Sequence, residues 1–420
     1  MGRRHTLRLA AAALGAALAL AACSESGSGD GTGSGATAVA AGASVKLMVI
    51  APTGTAGSNY PDIVGATKAA VRGLNTRGGI KGHPVELVYC NEKNDAETAK
   101  SCANQAVSDH VLAVVNEVSA SGGIMPILEA AHIPSIGSAG ISIDGSELSS
   151  SVSFMLSPLT YYPAVCPALL KAAGATKLGA VGYSLPQVDR LMKMAELGAK
   201  QAGSPLVIEP RVPIDTSDFT PTATQVKRAG VDGTVLVVVD QGAYAEVKAG
   251  GSTGQKYCHA MGVLSRDWLT QEGTAANSLV FASAFPELSQ ATQYPEIARA
   301  VKELDAEVTA GDPDAALRTS STNTIGAWLS VQIVEKVADA IPGDSLTSTA
   351  LLDQLNKTSN LDLGGITPAL DFTKPSPIPG AQRLFNTTMR GVRWDAATKT
   401  YVPLGTQSYD ALKILQQAGA

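Results

Sequence analysis

The chain has 420 residues, with 32 Lys and Arg against 37 Asp and Glu, which gives a net charge of −5 at neutral pH. An excess of acidic side chains disfavours nucleic acid as a partner, because sequence-independent affinity for it depends on clustered Lys and Arg. The length predicts about two domains, each large enough to bury a core without structural metals.

The N-terminus has the pattern of an export signal. An arginine-containing segment precedes an apolar run over residues 9–20 that is too short to span a bilayer. The run ends in Leu20, Ala21, Ala22 and Cys23, a stretch that resembles the lipobox of bacterial lipoproteins. The resemblance implies a signal peptide over residues 1–22 and lipidation of Cys23, which would anchor an exported protein to the cell membrane. The alternative is an ordinary cleavage site beside a coincidental cysteine.

Apolar strands and helices alternate after a Gly- and Ser-rich segment, residues 23–44, which predicts a flexible tether. The pattern predicts strands over residues 45–51, 85–90, 112–115, 134–136, 178–181, 206–212 and 234–239. It predicts helices over residues 61–77, 125–131, 161–173, 187–202, 220–229, 243–250, 296–310, 322–340 and 351–355. Asn94 and Glu97 are predicted to cap one further helix, and residues 391–404 to form a hairpin. Strands bounded by helices favour an α/β fold, and about ten strands require two parallel sheets covered by helices.

The five cysteines fit an oxidising compartment. If Cys23 is lipidated, the remaining four form an even set that predicts two disulfides. Of the three possible connectivities we favour Cys90 with Cys102, which joins the end of a predicted strand to the first turns of the next helix. Cys166 with Cys258 then follows by elimination. We expect no metal site, because no histidine lies at ligand spacing from these cysteines.

The sequence contains no recognisable catalytic apparatus. Four histidines follow the predicted signal, and each stands alone in the sequence: His83, His110, His132 and His259. Neither a nucleophile elbow nor a phosphate-binding loop occurs in the predicted folded body. We therefore expect a protein that is not an enzyme and that needs no cofactor.

Small polar residues follow several of the predicted strands at their carboxyl ends, where open α/β sheets bind ligands. Such loops bring backbone N–H groups close to a ligand, and helix N-termini behind them favour an acidic group. The candidate ligand-binding residues are Tyr60, Ser119, Ser121, Ser138, Ala139, Gly140, Tyr183, Asp240 and Gln241. The alternative is that some of these are plain turn residues and that Tyr183 only packs at the end of its strand.

Several motifs point to one family. They are the opening residues 51–54, the segments 74–82 and 85–89, the Ser-rich loop 119–122, residues 128–134 and residues 370–372. With these motifs, residues 45 to about 394 resemble the type I periplasmic binding proteins of the branched-chain amino acid (Leu/Ile/Val-binding-like) group, the solute receptors of ABC importers. The resemblance implies two Rossmann-like lobes joined by a three-segment hinge. Lobe 1 would contain residues 45–158 and 285–364, and lobe 2 residues 159–284 and 365–420.

The resemblance also implies a function and a site. A monomer outside the cytoplasm would capture a small polar, carboxylate-bearing solute, an amino acid or a related compound, and deliver it to an ABC permease. The alternative is a sensing receptor of the same fold that signals to a membrane partner. Ser119 or Ser121, together with residues 138–140, would hold the ligand carboxylate, and Tyr60 would supply the first-loop tyrosine.

One departure from the family pattern bears on the ligand. Amino acid binders of this group present an acid from lobe 2 to the ligand ammonium, near residues 262–264 of this chain, but no acid occurs there until Asp267. An ammonium buried without a carboxylate is costly. Either Asp240 or Glu117 substitutes for that acid, or the ligand is not an α-amino acid.

Overall fold

The computed structural model describes residues 42–55, 58–251, 254–343, 346–378 and 380–418, apart from the side chain of Asp240. The predicted signal peptide, Cys23 and nearly all of the predicted tether lie outside these residues. Within them, no helix combines the length and the apolar character that a membrane span requires.

The described residues form twelve strands and twelve α-helices. The strands are β1 Val45–Ile50, β2 Val85–Cys90, β3 Ala113–Val115, β4 Ser135–Ile136, β5 Ser153–Phe154, β6 Leu178–Tyr183, β7 Arg211–Val212, β8 Gly233–Val237, β9 Lys256–Ala260, β10 Leu279–Ser283, β11 Thr388–Asp395 and β12 Thr400–Asp410. The helices are α1 Pro61–Thr76, α2 Ala96–Ser108, α3 Ile124–Ala130, α4 Tyr162–Ala172, α5 Pro186–Gln201, α6 Thr220–Arg228, α7 Asp240–Gly250, α8 Arg266–Glu272, α9 Pro295–Thr309, α10 Ser321–Asp339, α11 Ser348–Leu355 and α12 Ala411–Gln417.

The strands build two sheets, one for each of two lobes. The first sheet has the order β2-β1-β3-β4-β5, and all its pairs are parallel. The second has the order β12-β11-β10-β9-β8-β6-β7, in which β11 pairs antiparallel with both β10 and β12. The predicted α/β fold with two helix-covered sheets is confirmed. The C-terminal hairpin adds an antiparallel edge to the second sheet.

Each sheet has its own apolar core, and the chain passes between the two cores three times. The core of the first sheet takes its buried side chains from residues 47–156 and 284–372. The core of the second takes them from residues 155–282 and 381–415. The central strands are buried on both faces, as expected for parallel sheets that helices cover.

Some predicted elements differ from the structure. The strand predicted over 206–212 is wrong in extent, since only Arg211 and Val212 form β7. Pro205 and Pro210 lack the N–H that a regular ladder requires, although the carbonyls of Ile208 and Pro210 still accept hydrogen bonds from β6. Strands β5, β9 and β10 and helix α8 were not predicted. β5 is only two residues long, and polar residues interrupt the pattern of β9 and α8. β10 has the continuous apolar run LVFA and could have been predicted from it.

The predicted cap of α2 is wrong by one residue. Asp95 is the N-cap, and its carboxylate accepts a hydrogen bond from the Thr98 backbone N–H at 2.8 Å. Asn94 has a left-handed backbone and donates its side-chain amide to the Thr55 hydroxyl and the Ser58 carbonyl, both at 2.9 Å. Asn94 therefore fixes the first loop rather than the helix.

Both favoured disulfides are confirmed. Cys90 at the end of β2 is bonded to Cys102 of α2, with 5.7 Å between their Cα atoms. Cys166 of α4 is bonded to Cys258 of β9, with 5.6 Å between their Cα atoms. Each bond ties a strand of one sheet to a helix that covers it.

Candidate functional site

The loop after β1 is held against the loop after β2. The Thr53 backbone N–H donates to Asn91 Oδ1 at 3.1 Å, and Asn91 Nδ2 donates to the Thr53 carbonyl at 3.0 Å. The hydroxyls of Thr53 and Tyr89 share a hydrogen bond of 2.6 Å. Tyr60 ends this loop half-buried, with its N–H bonded to the Pro52 carbonyl at 2.9 Å. The structure thus places Tyr60 at the carboxyl edge of the first sheet, as predicted.

The loops after β3 and β4 meet at the same edge. The Ala139 N–H donates to the Glu117 carbonyl at 3.1 Å, and the Val118 N–H donates to the Ile50 carbonyl at 2.9 Å. Ser119 is buried, and its hydroxyl accepts the N–H of the half-buried Ser121 at 3.0 Å. The two serine positions and Ala139 therefore lie in one hydrogen-bonded unit with the end of β1.

The residues at 137–140 are close to the core. Gly137 has a φ of +82°, and a Cβ there would lie 2.0 Å from the Ser330 Oγ, so this position needs glycine. A Cβ on Gly140 would lie 2.2 Å from Met155 Cε. Ser138 is fully buried, and its hydroxyl lies 3.4 Å from the Ser153 hydroxyl of β5. Ser138 thus lies inside the first lobe, where it joins β4 to β5.

Buried carboxyl groups surround this edge. Glu92, Glu117 and Glu147 are exposed by only 0%, 1% and 1%. Glu147 accepts hydrogen bonds from the Ser142 N–H and hydroxyl, and is therefore satisfied. Both oxygens of Glu92 and Oε2 of Glu117 have no hydrogen-bond partner. Unpartnered buried acceptors are rare in proteins and call for an explanation.

The electrostatics of these acids follow from their surroundings. Burial raises the pKa of the Glu117 carboxyl well above its ordinary value, and the carboxyls of Glu147, Glu92 and Asp144 add to the rise, while the Ser119 N–H offsets part of it. Burial also raises the pKa of Glu92, and nearby N–H groups and the Ser119 hydroxyl offset part of that rise. The edge of the first sheet thus holds several buried carboxyl groups close to one another.

The predicted residues of the second lobe occupy different environments. Tyr183 at the end of β6 is 3% exposed and belongs to the second core. A Cβ on Gly242 of α7 would lie 2.3 Å from the Tyr183 hydroxyl oxygen, so the ring packs closely on that helix. Asp240 and Gln241 begin the same helix, where Gln241 is exposed and the side chain of Asp240 lies outside the described part. Tyr183 therefore has at least the packing role that the sequence left open.

Sequence reasoning missed a second polar cluster beside Tyr60. Asp62, in the first turn of α1, is buried and accepts hydrogen bonds from the Thr319 hydroxyl and, at 3.3 Å, from Asn323 Nδ2. Burial raises the pKa of Asp62, and both partners lower it in part. A Cβ on Gly262, in the loop after β9 of the second lobe, would lie 3.1 Å from the Ser320 Oγ at the start of α10. This cluster brings the two lobes together near Tyr60.

Three surface cavities in the described part of the chain lie away from these loops. Their volumes are about 470, 370 and 380 Å³. The second is lined by apolar groups of α5 and α12 together with Arg190 and Lys193. None of the predicted ligand-binding residues lines any of the three. No group of three or more His, Cys, Asp or Glu side chains in the described ranges could hold a metal ion.

The fold and the sequence both indicate the same class of protein. The profile of the periplasmic binding protein family matches residues 45–399. The chain therefore belongs to the periplasmic binding protein family, and its two sheets give it the type I fold of that family. The family consists of solute-binding proteins rather than enzymes, and its members act outside the cytoplasm.

Solved structures share this fold at low sequence identity. An extracellular ligand-binding receptor from Verminephrobacter eiseniae is 14% identical, with a TM-score of 0.68, and the match covers 86% of this chain and 99% of that one. A fatty acid ABC transporter substrate-binding protein from Thermomonospora curvata is 17% identical, with a TM-score of 0.66 and coverage of 88% and 94%.

A solute-binding protein of an ABC transporter from R. palustris, solved with 4-hydroxybenzoate, is 15% identical, with a TM-score of 0.66 and coverage of 87% and 97%. At these identities the likeness shows the fold alone. No curated protein sequence matches the chain at a significant level.

Proposed function

We propose that this protein captures a small polar solute that bears a carboxylate, an amino acid or a related compound, and delivers it to the permease of an ABC importer. The observation that carries the proposal is the hydrogen-bonded unit formed by the loops after β1, β3 and β4, which contains Ser119, Ser121 and Ala139 and lies beside Tyr60. Parallel α/β sheets bind ligands at this edge. The absence of a catalytic pattern from the sequence supports a binding role over an enzymatic one.

The lipobox-like stretch at the N-terminus supports a cellular location for the protein. We propose that the protein is attached to the outer face of the cell membrane through a lipid on Cys23, and that residues 24–44 give the folded body its reach. A tether of that composition suits a monomeric receptor that must meet both solute and permease. The two disulfides fit an oxidising compartment.

The lobe boundaries are also a proposal. Core membership supports changes of lobe near residues 158 and 284. At the third change, Ile366, Leu370 and Phe372 still belong to the core of the first sheet, and Ala381 belongs to the other. This favours a last boundary between residues 372 and 381 over one at 364. The solute would lie where the lobes face one another.

A thermal-shift screen tests the proposed function. A solute that binds only the folded protein raises its unfolding temperature in proportion to the logarithm of its concentration. We expect a concentration-dependent rise with at least one member of a panel of amino acids, carboxylates, amides, polyols and aromatic acids. If no member of the panel raises the unfolding temperature, the proposal is contradicted.

Substitution of two predicted residues tests the place of binding. The double variant Tyr60→Ala, Ser121→Ala removes a half-buried ring and a hydroxyl from the edge of the first sheet. We expect this variant to bind the solute found in the screen on the order of 100-fold more weakly, as measured by calorimetry. Ser101→Ala, at an exposed position of α2, is the control and should bind as the wild type does. Equal affinity of the double variant and the control would place the solute elsewhere.

A further inference from the structure

Two buried carboxyl groups of the first lobe, in the described part of the chain, leave three oxygens without a hydrogen-bond partner: both oxygens of Glu92 and Oε2 of Glu117. Glu92 follows β2 by two residues and Glu117 follows β3 by two residues, so both stand at the carboxyl edge of the sheet on either side of the end of β1. The Ser119 hydroxyl lies close enough to Glu92 to affect its pKa, and the Ser119 N–H does the same for Glu117. The two acids thus flank a residue of the candidate site.

Burial of the two carboxyl groups in the charged form is energetically unfavourable unless another group stabilises the charge. A buried carboxylate without hydrogen bonds or an opposite charge is unfavourable. The charged groups that act most on Glu117 are three further acids, Glu147, Glu92 and Asp144, and the charged group that acts on Glu92 is Asp95. Asp144 and Asp95 accept hydrogen bonds from backbone N–H groups and hydroxyls. Glu92 has the Ser119 hydroxyl and N–H groups near its carboxyl, but neither of its oxygens has a partner at hydrogen-bond geometry. The charged groups that act on the two acids in the described part of the chain therefore supply no positive charge.

The nature of a counter-charge for the two acids is restricted. A metal ion is disfavoured, since no metal-binding group of acids, His or Cys occurs in the described ranges. An anion between the two acids is disfavoured by the neighbouring carboxyls of Glu147, Asp144 and Asp95. A nitrogen cation with several N–H donors can satisfy the three unpartnered carboxyl oxygens at once, and charge-assisted hydrogen bonds to buried groups are strong.

We propose that Glu92 and Glu117 form a subsite for a cationic nitrogen group of the solute, an ammonium, amidinium or guanidinium, in place of the lobe 2 acid that the chain lacks near residues 262–264. The proposal rests on the proposed function, because the cation belongs to the captured solute. The cationic group of the solute lies between the loop after β2 and the loop after β3.

The Cys90–Cys102 bond supports this role of Glu92. It links the last residue of β2 to α2, so the intervening loop with Asn91 and Glu92 is closed covalently at both ends. Asn91 is bonded in turn to Thr53 of the first loop. The Glu92 carboxyl is therefore attached to a firmly fixed backbone, as a subsite that must hold a charge in one place requires.

The test is calorimetric binding to the purified protein with matched probes. The cationic set is 4-aminobutyrate, leucine, agmatine and butylamine, and the nitrogen-free set is butyrate and 4-hydroxybenzoate. We expect saturable binding within the cationic set only. Glu92→Gln and Glu117→Gln should each weaken that binding on the order of 10- to 100-fold. Glu246→Gln, an equally buried acid of the second lobe, is the matched control and should leave the affinity unchanged.

A second measurement needs no variant. Burial raises the pKa of both acids in the free protein, and a bound cation, which stabilises the carboxylate form, should lower those pKa values again. Calorimetry of the wild type in two buffers with different ionisation enthalpies should therefore show proton release with a cationic probe, and affinity that increases with pH. An affinity for the cationic probe that stays constant from acid to neutral pH contradicts the subsite.

The outcomes separate this inference from the proposed function. Binding of the nitrogen-free carboxylates alone, or equal affinity of wild type, Glu92→Gln and Glu117→Gln for a cationic probe, overturns the subsite and leaves solute capture standing. If the wild type binds no probe of either set, the subsite is overturned. Solute capture is overturned only if no compound of the broader screen raises the unfolding temperature.

Discussion

At the scale of single residues, Glu287 is a buried carboxyl at one of the passages between the two cores. It is 4% exposed, follows Phe285 of the first core by two residues, and accepts a hydrogen bond from the Ser321 hydroxyl at 2.6 Å. Burial raises its pKa to about 7, although the Ser321 and Ser283 hydroxyls and Arg266 lower it in part. The folded protein therefore holds this proton at a pH where the unfolded chain has lost it.

This shift predicts a pH dependence of stability. Between the ordinary pKa of 4.5 and about 7 the folded state binds more protons than the unfolded state, so the free energy of unfolding falls as pH rises through that window. From pH 5.5 to 7.5 the contribution of Glu287 to this fall is about 2 kcal/mol. Urea unfolding of Glu287→Gln should show a pH dependence shallower by that amount. Glu86→Gln, at an exposed position, is the control, and an unchanged slope in Glu287→Gln would contradict the assignment.

The residue scale also shows what the sequence could and could not predict about the site. Tyr60, Ser119 and Ala139 were predicted from the small polar loops after strands, and the structure brings them to one edge. Glu92 was missed, although it follows β2 at the same offset at which Glu117 follows β3. That offset was the available signal. The burial of Ser138 could not be predicted, because it depends on packing against β5. The packing role of Tyr183 was one of two readings of the sequence, and its contact with α7 could not be predicted.

At the scale of elements, the Cys90–Cys102 bond fixes the β2–α2 connection. Loss of a disulfide that closes a short loop costs about 3 kcal/mol, mainly through the unfolded chain. We expect the variant Cys90→Ala, Cys102→Ala to unfold at a lower temperature and to bind solute more weakly, because the loop with Asn91 and Glu92 is no longer held. Thermal unfolding and calorimetry measure the two effects.

The second disulfide is the matched control for that prediction. Cys166–Cys258 joins α4 to β9 in the other lobe, away from the loops of the first sheet. Cys166→Ala, Cys258→Ala should lower the unfolding temperature while the affinity for solute stays close to that of the wild type. If the two double variants lose affinity equally, the first disulfide has no particular role in the site.

Helices and strands were predicted correctly where the local sequence pattern is clear. They were missed where contacts with residues distant in the sequence bury polar side chains. The run Val85–Cys90 and the start of α1 at Pro61 follow from apolar continuity and from the preference of proline for a first helical turn. β9 carries Lys256 and His259, and His259 is buried because its ring stacks on Tyr162 at 4.9 Å and its Nε2 lies 2.8 Å from the Val238 carbonyl. A sequence alone does not show such contacts.

At the scale of the whole molecule, two of the three passages between the cores run side by side. The Met155 N–H donates to the Arg383 carbonyl at 2.9 Å, and the Phe385 N–H donates to the Met155 carbonyl at 3.0 Å. The Arg383 guanidinium lies 4.5 Å from the centre of the Phe154 ring. The alternation of strands and helices could not predict that these two passages pair, because it is the same in both halves of the chain. The family resemblance implied three crossings between the lobes, but not which of them lie together.

Small-angle X-ray scattering of the purified protein, with and without the solute that raises its unfolding temperature, tests the central claim most directly. Capture of a solute where two lobes face one another predicts that the closed form becomes populated and that the radius of gyration decreases saturably at one solute per chain. Tyr60→Ala, Ser121→Ala should show the decrease only at much higher solute concentration. An unchanged radius of gyration at saturating solute would contradict capture between the lobes.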